Sequence, residues 1–406
     1  MRRSSLLAAT LALAVAACGG PLLANAPAPH PIVTPGPSGT PRPPDPQPVV
    51  LPRDDAPHDR LTEWWYYTGH LRDATGGRWG FEFVVFRAER GGFPVSWASH
   101  LALTDETGDA FHYAQRSEIG PQVDVGSSDG TGGTPAGFAF AIRGLDAANP
   151  ATFTRTPWSM AGSGGTDRLA AAAPAAEALG DPSAGFGLSL VLAATKPPAL
   201  HGGDGYIDFG PAGGSYYYSR TAMEAAGTIA VGGRTLAVDG TAWFDHQWGD
   251  FIAVGAGGWD WFAVNLDDGT DVTVSLVRAA DGSSPLVYGT LVDAAGRSRT
   301  LAGEDFTVGV TDHWTSAATG ATYPAGWTIT IPREGLSIRL VPTVAQQELN
   351  TIATTGVIYW EGSQRVAATR NGSPLGGRAY VELTGYAGAN CPCTPATISP
   401  AASPGS

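Results

Sequence analysis

The chain has 406 residues, 55 of them glycine, and a formal net charge of −13 at pH 7. This acidic balance disfavours nucleic acid as a partner, and it provides no attraction to anionic lipid. The length suggests two domains, and the lack of long helical periodicity in a glycine-rich chain indicates β-structure.

The N-terminus is typical of a bacterial lipoprotein signal. Arg2 and Arg3 precede a short apolar stretch, and two alanines lead directly into Cys18. We therefore expect residues 1–17 to be a cleaved signal peptide and Cys18 to be lipidated. The protein would then be exported and held at the periplasmic or extracellular face of the cell envelope, with the lipid as its only membrane contact. The alternative is an ordinary secretory signal followed by an incidental cysteine.

Composition then divides the chain. Residues 18–50 are rich in proline, which blocks both helix and ladder pairing, and we expect a disordered tether there. Two domains are predicted at 51–226 and 227–390, and a disordered tail at 391–406. The tail contains Cys391 and Cys393, a pair to which we assign no part in the main chemistry.

Strand patterns dominate the two domains. Residues 79–87 are rich in β-branched and aromatic side chains between glycine pairs, and apolar residues alternate over 186–192 and 272–276. The alanine-rich stretch 169–179 is interrupted by Pro174, and we interpret it as a loop. Many short strands separated by turn residues predict a barrel or a sandwich.

Two distant segments resemble each other, 64–73 and 259–268, and each precedes a glycine turn and a second strand. The matched aromatic residues share one face of a strand: Trp64 with Trp259, and Tyr66 with Trp261. This repeat suggests duplicated β domains, although chance similarity between two aromatic hairpins would give the same pattern.

The densest aromatic cluster surrounds a histidine, at residues 243–250. In an extended chain His246 and Trp248 point to one side, and Asp245 and Gln247 to the other. A histidine among tryptophans provides a proton donor or acceptor next to a wall that tolerates cations. Alternatively, Asp245 and His246 form hydrogen bonds that only stabilise a corner of the fold.

Several motifs together resemble one family in their order along the chain, from about Asp54 to about Gly388. The family is the secreted AttH-like proteins, related to carotenoid 1,2-hydratases and often labelled predicted secreted hydrolases. The motifs are Glu63 to Leu71, His201 to Tyr206, Tyr216 to Ser219, Trp243 to Gly249, Tyr359 to Gly362 and Val381 to Tyr386.

The resemblance implies an all-β fold with two lipocalin-like (calycin-type) antiparallel β-barrel domains in tandem. Relatives include enzymes that hydrate an isolated double bond at the end of an acyclic carotenoid, and the ligand is held at or between the barrels. By this resemblance and the repeat, the predicted catalytic residues are His246, Asp245 and Trp248. The predicted ligand-binding residues are Glu63, Trp64, Tyr66, Tyr217, Trp243, Trp259, Trp261 and Trp360.

Hydration needs an acid, a cation-stabilising wall and a base that directs water. Hydratase members are expected to have a Tyr-x-Asp pair where this chain has Thr273-Val274-Ser275. Asp271 or Glu82 would have to replace the acid, unless both are ordinary solvated or structural carboxylates. The chain contains no Gly-x-Ser-x-Gly or His-Glu-x-x-His motif, and we expect neither a metal nor a cofactor.

Two functions follow from these patterns. The protein binds a hydrophobic small molecule (a polyene, terpenoid or lipid) and hydrates or isomerises it, or it is a non-catalytic lipocalin-type carrier of such a molecule. A purely structural envelope protein would leave the aromatic cluster unexplained.

Overall fold

The computed structural model describes residues 44–126, 137–144, 155–180, 184–251, 257–279 and 281–387. Regular structure in these residues is almost entirely β-strand. Short 3₁₀ turns occur at Arg53–Asp55, Pro121–Val123, Gly210–Ala212, Gly303–Asp305 and Pro332–Glu334. In this described part of the chain, no helix is long and apolar enough to cross a membrane.

The first sheet contains thirteen strands of the described chain. They are β1 (Thr62–Asp73), β2 (Arg78–Ala88), β3 (Ser96–Asp105), β4 (Ala110–Ile119), β5 (Phe138–Ile142), β6 (Trp158–Ser163), β7 (Thr166–Ala173), β8 (Leu179–Gly180), β9 (Phe186–Ala194), β10 (Ala199–Leu200), β11 (Tyr206–Asp208), β12 (Gly214–Val231) and β13 (Arg234–Gly249). The strand order is β5-β6-β7-β9-β12-β13-β1-β2-β3-β4-β8, and β10 and β11 also pair with β12.

The second sheet contains ten strands of the same described ranges. They are β14 (Gly258–Leu266), β15 (Asp271–Arg278), β16 (Leu286–Val292), β17 (Ser298–Ala302), β18 (Thr307–Thr315), β19 (Thr322–Ile331), β20 (Leu336–Pro342), β21 (Glu348–Asn350), β22 (Ile358–Arg370) and β23 (Ser373–Thr384). Their order is β17-β16-β15-β14-β23-β22-β20-β19-β18, with β21 on β22.

Alternating side chains explain why these segments are strands. In β9, Leu188, Leu190 and Leu192 are buried on the core side, while Ser189 and Val191 are exposed. This period of two places one row of side chains in a core and the next row on the opposite face. The strands predicted at 79–87, 186–192 and 272–276 are confirmed within β2, β9 and β15.

The all-β, two-domain fold class is confirmed, since the residues that the structure describes form two curled antiparallel sheets of lipocalin type. Each sheet has its own apolar core. The first includes Trp65, Phe83 and Trp158, and the second includes Trp327 and Trp360. The two repeated segments form β1 and β14, each followed by a hairpin to the next strand.

Three details differ from the sequence predictions. The predicted boundary after residue 226 lies inside β12, where Gly227 pairs with Val238, so the change of sheet comes later, between β13 and β14. Residues 169–173 belong to β7 rather than to a loop, because Pro174 stands after the strand instead of inside it. The tether ends earlier than residue 50, since Asp45 forms an ion pair with Arg60.

Other predictions concern residues outside the described ranges. These are the signal peptide at 1–17, Cys18, residues 18–43 of the tether, and the tail at 391–406 with its two cysteines.

Candidate functional site

Two rows of side chains face each other where the sheets pack together, and we call this region the inter-sheet site. Directly paired residues on neighbouring strands share a face of the sheet. On the first sheet the row is His100, Val84, Tyr66, Asp245 and Ser219. On the second sheet it is Glu361, Glu382, Trp261, Ser275 and Tyr288.

Aromatic rings join the two rows. The ring of Trp261 meets Tyr66 edge-on at 5.3 Å between centroids, and it meets Trp243 edge-on at 6.1 Å. Half-buried Trp64 and Trp259 pack against this cluster. The site therefore has an apolar, π-rich interior and a rim of tryptophans that solvent reaches.

Asp245 lies at the centre of the row on the first sheet. Its carboxylate accepts hydrogen bonds from the Tyr217 hydroxyl at 2.5 Å, from Trp243 Nε1 at 2.6 Å and from the Ser219 hydroxyl. Trp261 Nε1 donates across the interface to the Tyr217 hydroxyl at 3.0 Å. Burial raises the pKa of Asp245 to about 6, because the three donors recover only part of the lost hydration. Asp245 is therefore ionised at pH 7 and held in place.

Three glutamates complete the site. The Tyr359 hydroxyl donates to Glu82 Oε1 at 2.8 Å, and the Tyr66 hydroxyl donates to Glu361 Oε1 at 2.7 Å. Burial raises the pKa of Glu82 to about 8 and that of Glu382 to about 7. Burial, reinforced by the charges of the neighbouring carboxylates, raises the pKa of Glu361 well above its usual range. At neutral pH the site therefore contains protonated carboxylic acids.

The outer carboxyl oxygens of two glutamates are available for a ligand. Oε2 of Glu82 and Oε2 of Glu361 are buried and have no hydrogen-bond partner within the described part of the chain. A buried oxygen without a partner is costly unless a proton, a water molecule or a ligand satisfies it. On Glu361 this oxygen would carry the acidic proton, since Oε1 already accepts from Tyr66.

Glu82 is connected towards the surface by a chain of hydrogen bonds. The hydroxyl of half-buried Thr354 lies 3.0 Å from His100 Nε2, and His100 Nδ1 lies 2.7 Å from the Tyr359 hydroxyl. Burial lowers the pKa of His100 to about 3, so its imidazole is neutral and can donate at one nitrogen while accepting at the other. This arrangement is suited to passing a proton to Glu82.

The predicted catalytic histidine lies on the opposite face of β13, in the core of the first sheet. His246 is fully buried, and its ring contacts Trp65 and Trp248, each at 4.6 Å between centroids. Its Nε2 lies 2.9 Å from Glu63 Oε1, and Nδ1 of His58 lies 2.7 Å from the same oxygen. Burial lowers the pKa of His246. The alternation predicted for residues 245–248 is thus present, and it separates Asp245 from His246.

His58, Glu63 and His246 also form a group whose residue types suit a metal ion. Donor atoms of His58, Glu63 and His246 lie within 4.8 Å of one another, although His246 is remote from the other two in sequence. Burial opposes ionisation of Glu63, but the two histidines outweigh it and lower the pKa of this carboxyl. The sequence pattern gave no reason to expect a metal here.

The structure brings some predicted site residues together and separates others. Those at the inter-sheet site are Asp245, Tyr66, Tyr217, Trp243 and Trp261, with Trp64 and Trp259 at its rim. Those elsewhere are Glu63, His246 and Trp248 in the core of the first sheet, and Trp360 in the core of the second, where its Nε1 donates to the carbonyl of Ala345.

Two proposed replacements for the missing acid have different surroundings. Asp271 is paired with Lys196 at 2.7 Å and accepts from Thr221 at 2.6 Å, so it is a structural carboxylate that ties the sheets together. Glu82 faces the inter-sheet site. Glu361 and Glu382 were missed as site residues, although both lie within motifs that carry the family resemblance. The available signal was a carboxylate flanked by apolar residues within a strand pattern.

Comparisons with known proteins agree with this architecture. The AttH-like family profile matches residues 42–386. The chain is similar to the crystal structure of an AttH protein from Nitrosomonas europaea, with 29% identity and a TM-score of 0.68 over 84% of this chain and 98% of that one. It is also similar to kievitone hydratase from Nectria haematococca, with 16% identity and a TM-score of 0.60 over 83% of this chain and 93% of that one. No curated protein matches the chain.

Proposed function

The chain belongs to the AttH-like family, and from that premise we propose that it binds a hydrophobic, unsaturated small molecule at the inter-sheet site and adds water to one of its double bonds. The observation that carries the proposal is a set of buried carboxylic acids inside an aromatic wall. Alkenes are weak bases, so their protonation requires an acid that is neutral at working pH and next to an apolar ligand.

Glu361 is the proposed acid. Its Oε1 accepts from Tyr66, which leaves Oε2 to give its proton to the alkene carbon. The resulting carbocation would be stabilised by the π faces of Trp243 and Trp261 and by carboxylate charge nearby. Burial and the neighbouring carboxylate charges raise the pKa of Glu361, which favours the protonated form that the reaction needs.

Asp245 is the proposed base. It is ionised above about pH 6 and fixed by three donors, so it can take a proton from the water that attacks the cation. The product is an alcohol, and the balance of the reaction is the addition of one water molecule. A proton from Glu82, supplied through Tyr359 and His100, would restore the acid form of Glu361, and Asp245 would release the proton it took to solvent, which returns both groups to their starting state.

The proposed ligand class is a polyene, terpenoid or other lipid with an isolated double bond. The site supports this class because its lining is aromatic and its polar groups are confined to a few carboxyls and hydroxyls. Kievitone hydratase is by its name a hydratase, and its shared fold makes water addition a natural reaction to test.

Export as a lipoprotein remains part of the proposal. The motivation is the signal-like N-terminus ending at Cys18. Mass spectrometry of the protein purified from membranes of its host should find a diacylglyceryl group on Cys18, and Cys18→Ser should release the protein into the soluble fraction. An unmodified N-terminus that begins elsewhere would contradict this assignment.

The decisive experiment follows an oxygen isotope. The purified protein is incubated in ¹⁸O-labelled water with an acyclic carotenoid, an acyclic terpenoid and an unsaturated fatty acid, and products and bound molecules are analysed by mass spectrometry. We expect a labelled alcohol from one of them. Glu361→Gln and Asp245→Asn should abolish it, whereas Glu224→Gln, on an exposed part of β12, should not.

The same experiment distinguishes an enzyme from a non-catalytic carrier. A substrate that binds and is recovered unaltered would identify a non-catalytic carrier. A labelled alcohol that persists in Glu361→Gln and Asp245→Asn would move the chemistry away from the inter-sheet site.

A further inference from the structure

A second polar cluster lies apart from the inter-sheet site, on the core face of the first sheet. It consists of His58, Glu63 and His246, and we call it the His58 cluster. Glu63 and His246 are fully buried, and the side chain of His58 is 21% exposed. The proposed hydration chemistry does not use these residues.

We propose that the His58 cluster binds one divalent first-row transition-metal ion, of which Zn²⁺ is the probe. The donor set is two imidazole nitrogens and one carboxylate oxygen. This set serves in catalytic zinc sites and in non-haem iron sites, where a further coordination position remains open. Hard cations such as Mg²⁺ and Ca²⁺ prefer sites made only of oxygen donors.

The three donor atoms lie within 4.8 Å of one another, and the two separations that involve Glu63 are close to those a metal requires. Glu63 Oε1 lies 2.7 Å from His58 Nδ1 and 2.9 Å from His246 Nε2. A tetrahedral ion about 2.1 Å from each ligand holds its ligand atoms about 3.4 Å apart. The separation from the carboxylate oxygen must therefore grow by about 0.7 Å for His58 and about 0.5 Å for His246. His58 precedes β1, outside the sheet ladders, and its side chain can make most of this movement.

The surroundings of His58 resemble the outer shell of a metal site. Its second nitrogen, Nε2, lies 3.7 Å from Asp54 Oδ1. Metal-bound histidines usually donate their other ring N–H to a carboxylate, which fixes the ring and strengthens the ligand. The ring also stacks on Trp248 at 4.2 Å with an interplanar angle of 1°, which restricts its plane.

The arrangement of charge directs one oxygen of Glu63 to the ion. Oε2 accepts the backbone N–H of His58 at 2.9 Å and lies 3.8 Å from Arg87. Oε1 is therefore the oxygen that faces both histidines. Exposure of His58 provides a route for the ion from solvent.

The test measures metal binding alone, so its result is independent of hydration. The full-length protein, without a histidine tag, is stripped with a chelator and titrated with Zn²⁺ by calorimetry. We expect one equivalent per chain. Glu63→Gln and His246→Ala should weaken binding by at least about 100-fold, and Asp54→Asn by about 10- to 100-fold. His313→Ala, an exposed histidine on β18, should bind like the wild type.

The wild-type protein provides a second measurement if a variant fails to fold. Co²⁺ should replace Zn²⁺, and X-ray absorption should show a shell of nitrogen and oxygen ligands without sulfur. Failure of the folded wild type to bind Zn²⁺ stoichiometrically would overturn the proposal. Equal affinity in wild type and in a folded Glu63→Gln variant would do the same. A Glu361→Gln variant that loses hydration activity but still binds zinc would support the metal site independently of the hydration site.

Discussion

Glu82 offers a direct physical test of the inter-sheet site. Burial raises its pKa from an ordinary 4.5 to about 8, so the folded protein keeps a proton that the unfolded chain has already released. Between these two pH values the unfolded state binds fewer protons than the folded state. The free energy of unfolding must therefore fall as the pH rises through this window.

The magnitude follows from the pKa change. A rise of about 3.5 pKa units corresponds to about 5 kcal/mol at about 1.4 kcal/mol per unit. Of this, about 4 kcal/mol falls between about pH 5 and about pH 8.5. Glu82→Gln removes the titration but keeps an oxygen that accepts from Tyr359, as the protonated acid does. Between these two pH values the free energy of unfolding should therefore fall in both proteins, and the fall should be smaller in the variant than in the wild type by up to about 4 kcal/mol.

Urea unfolding at the two pH values measures this difference, which includes the accompanying change in the titration of Glu361, since the Glu82 charge helps to raise its pKa. Glu224→Gln provides the matched control at an exposed site and should follow the wild type. Infrared spectroscopy should also show a protonated carboxyl band at pH 7 that Glu82→Gln weakens. Parallel stability curves for wild type and Glu82→Gln would mean that Glu82 titrates normally, and the reasoning about buried acids would then be wrong.

Three further predictions concern the same interface. The pH profile of kcat/KM for hydration should be bell-shaped, rising as Asp245 ionises near pH 6 and falling as Glu82 ionises near pH 8; a flat profile would contradict the assignment. His100→Ala should lower the steady-state kcat but leave the rate of a single turnover and the ligand affinity within about twofold, because it removes the proton supply between turnovers rather than a ligand contact. Gly80→Ala should lower the free energy of unfolding by about 1–3 kcal/mol, as measured in urea, since the new Cβ would lie 2.6 Å from the Tyr380 hydroxyl. An unchanged free energy of unfolding would show that the neighbouring side chains can move to accommodate the methyl group.

Much of the fold could be predicted from local patterns. Alternation identified strands at 79–87, 186–192 and 272–276, because a half-buried strand imposes a period of two on its sequence. The domain boundary was harder to predict. A glycine such as Gly227 often marks the end of a strand, yet β12 continues through it and stays paired with β13. The pairing of strands determines where the first sheet ends, and the composition of the sequence does not reveal that pairing.

Only part of the candidate site could be predicted, because the rest depends on contacts between residues that are distant in the sequence. Asp245 and its aromatic neighbours formed a visible cluster in the sequence, whereas Glu361 and Glu382 are remote from it along the chain. Their pKa values depend on packing against the first sheet, which supplies both the desolvation and Tyr66. The separation of Glu63 and His246 from the inter-sheet site follows from the alternation along β1 and β13, but that alternation does not reveal which face meets the second sheet.

Two neighbouring residues of β13, Asp245 and His246, therefore belong to two different sites. Asp245 faces the second sheet and the buried acids, and its neighbour His246 faces the core of the first sheet and Glu63. Because adjacent side chains of a strand lie on opposite faces, the two residues cannot act on the same reacting atom. A change at His246 that altered hydration would have to do so through the backbone of β13 and the position of Asp245. His246→Ala should thus affect metal binding directly, and it should affect catalysis only as far as it displaces the Asp245 carboxylate from Tyr217 and Trp243.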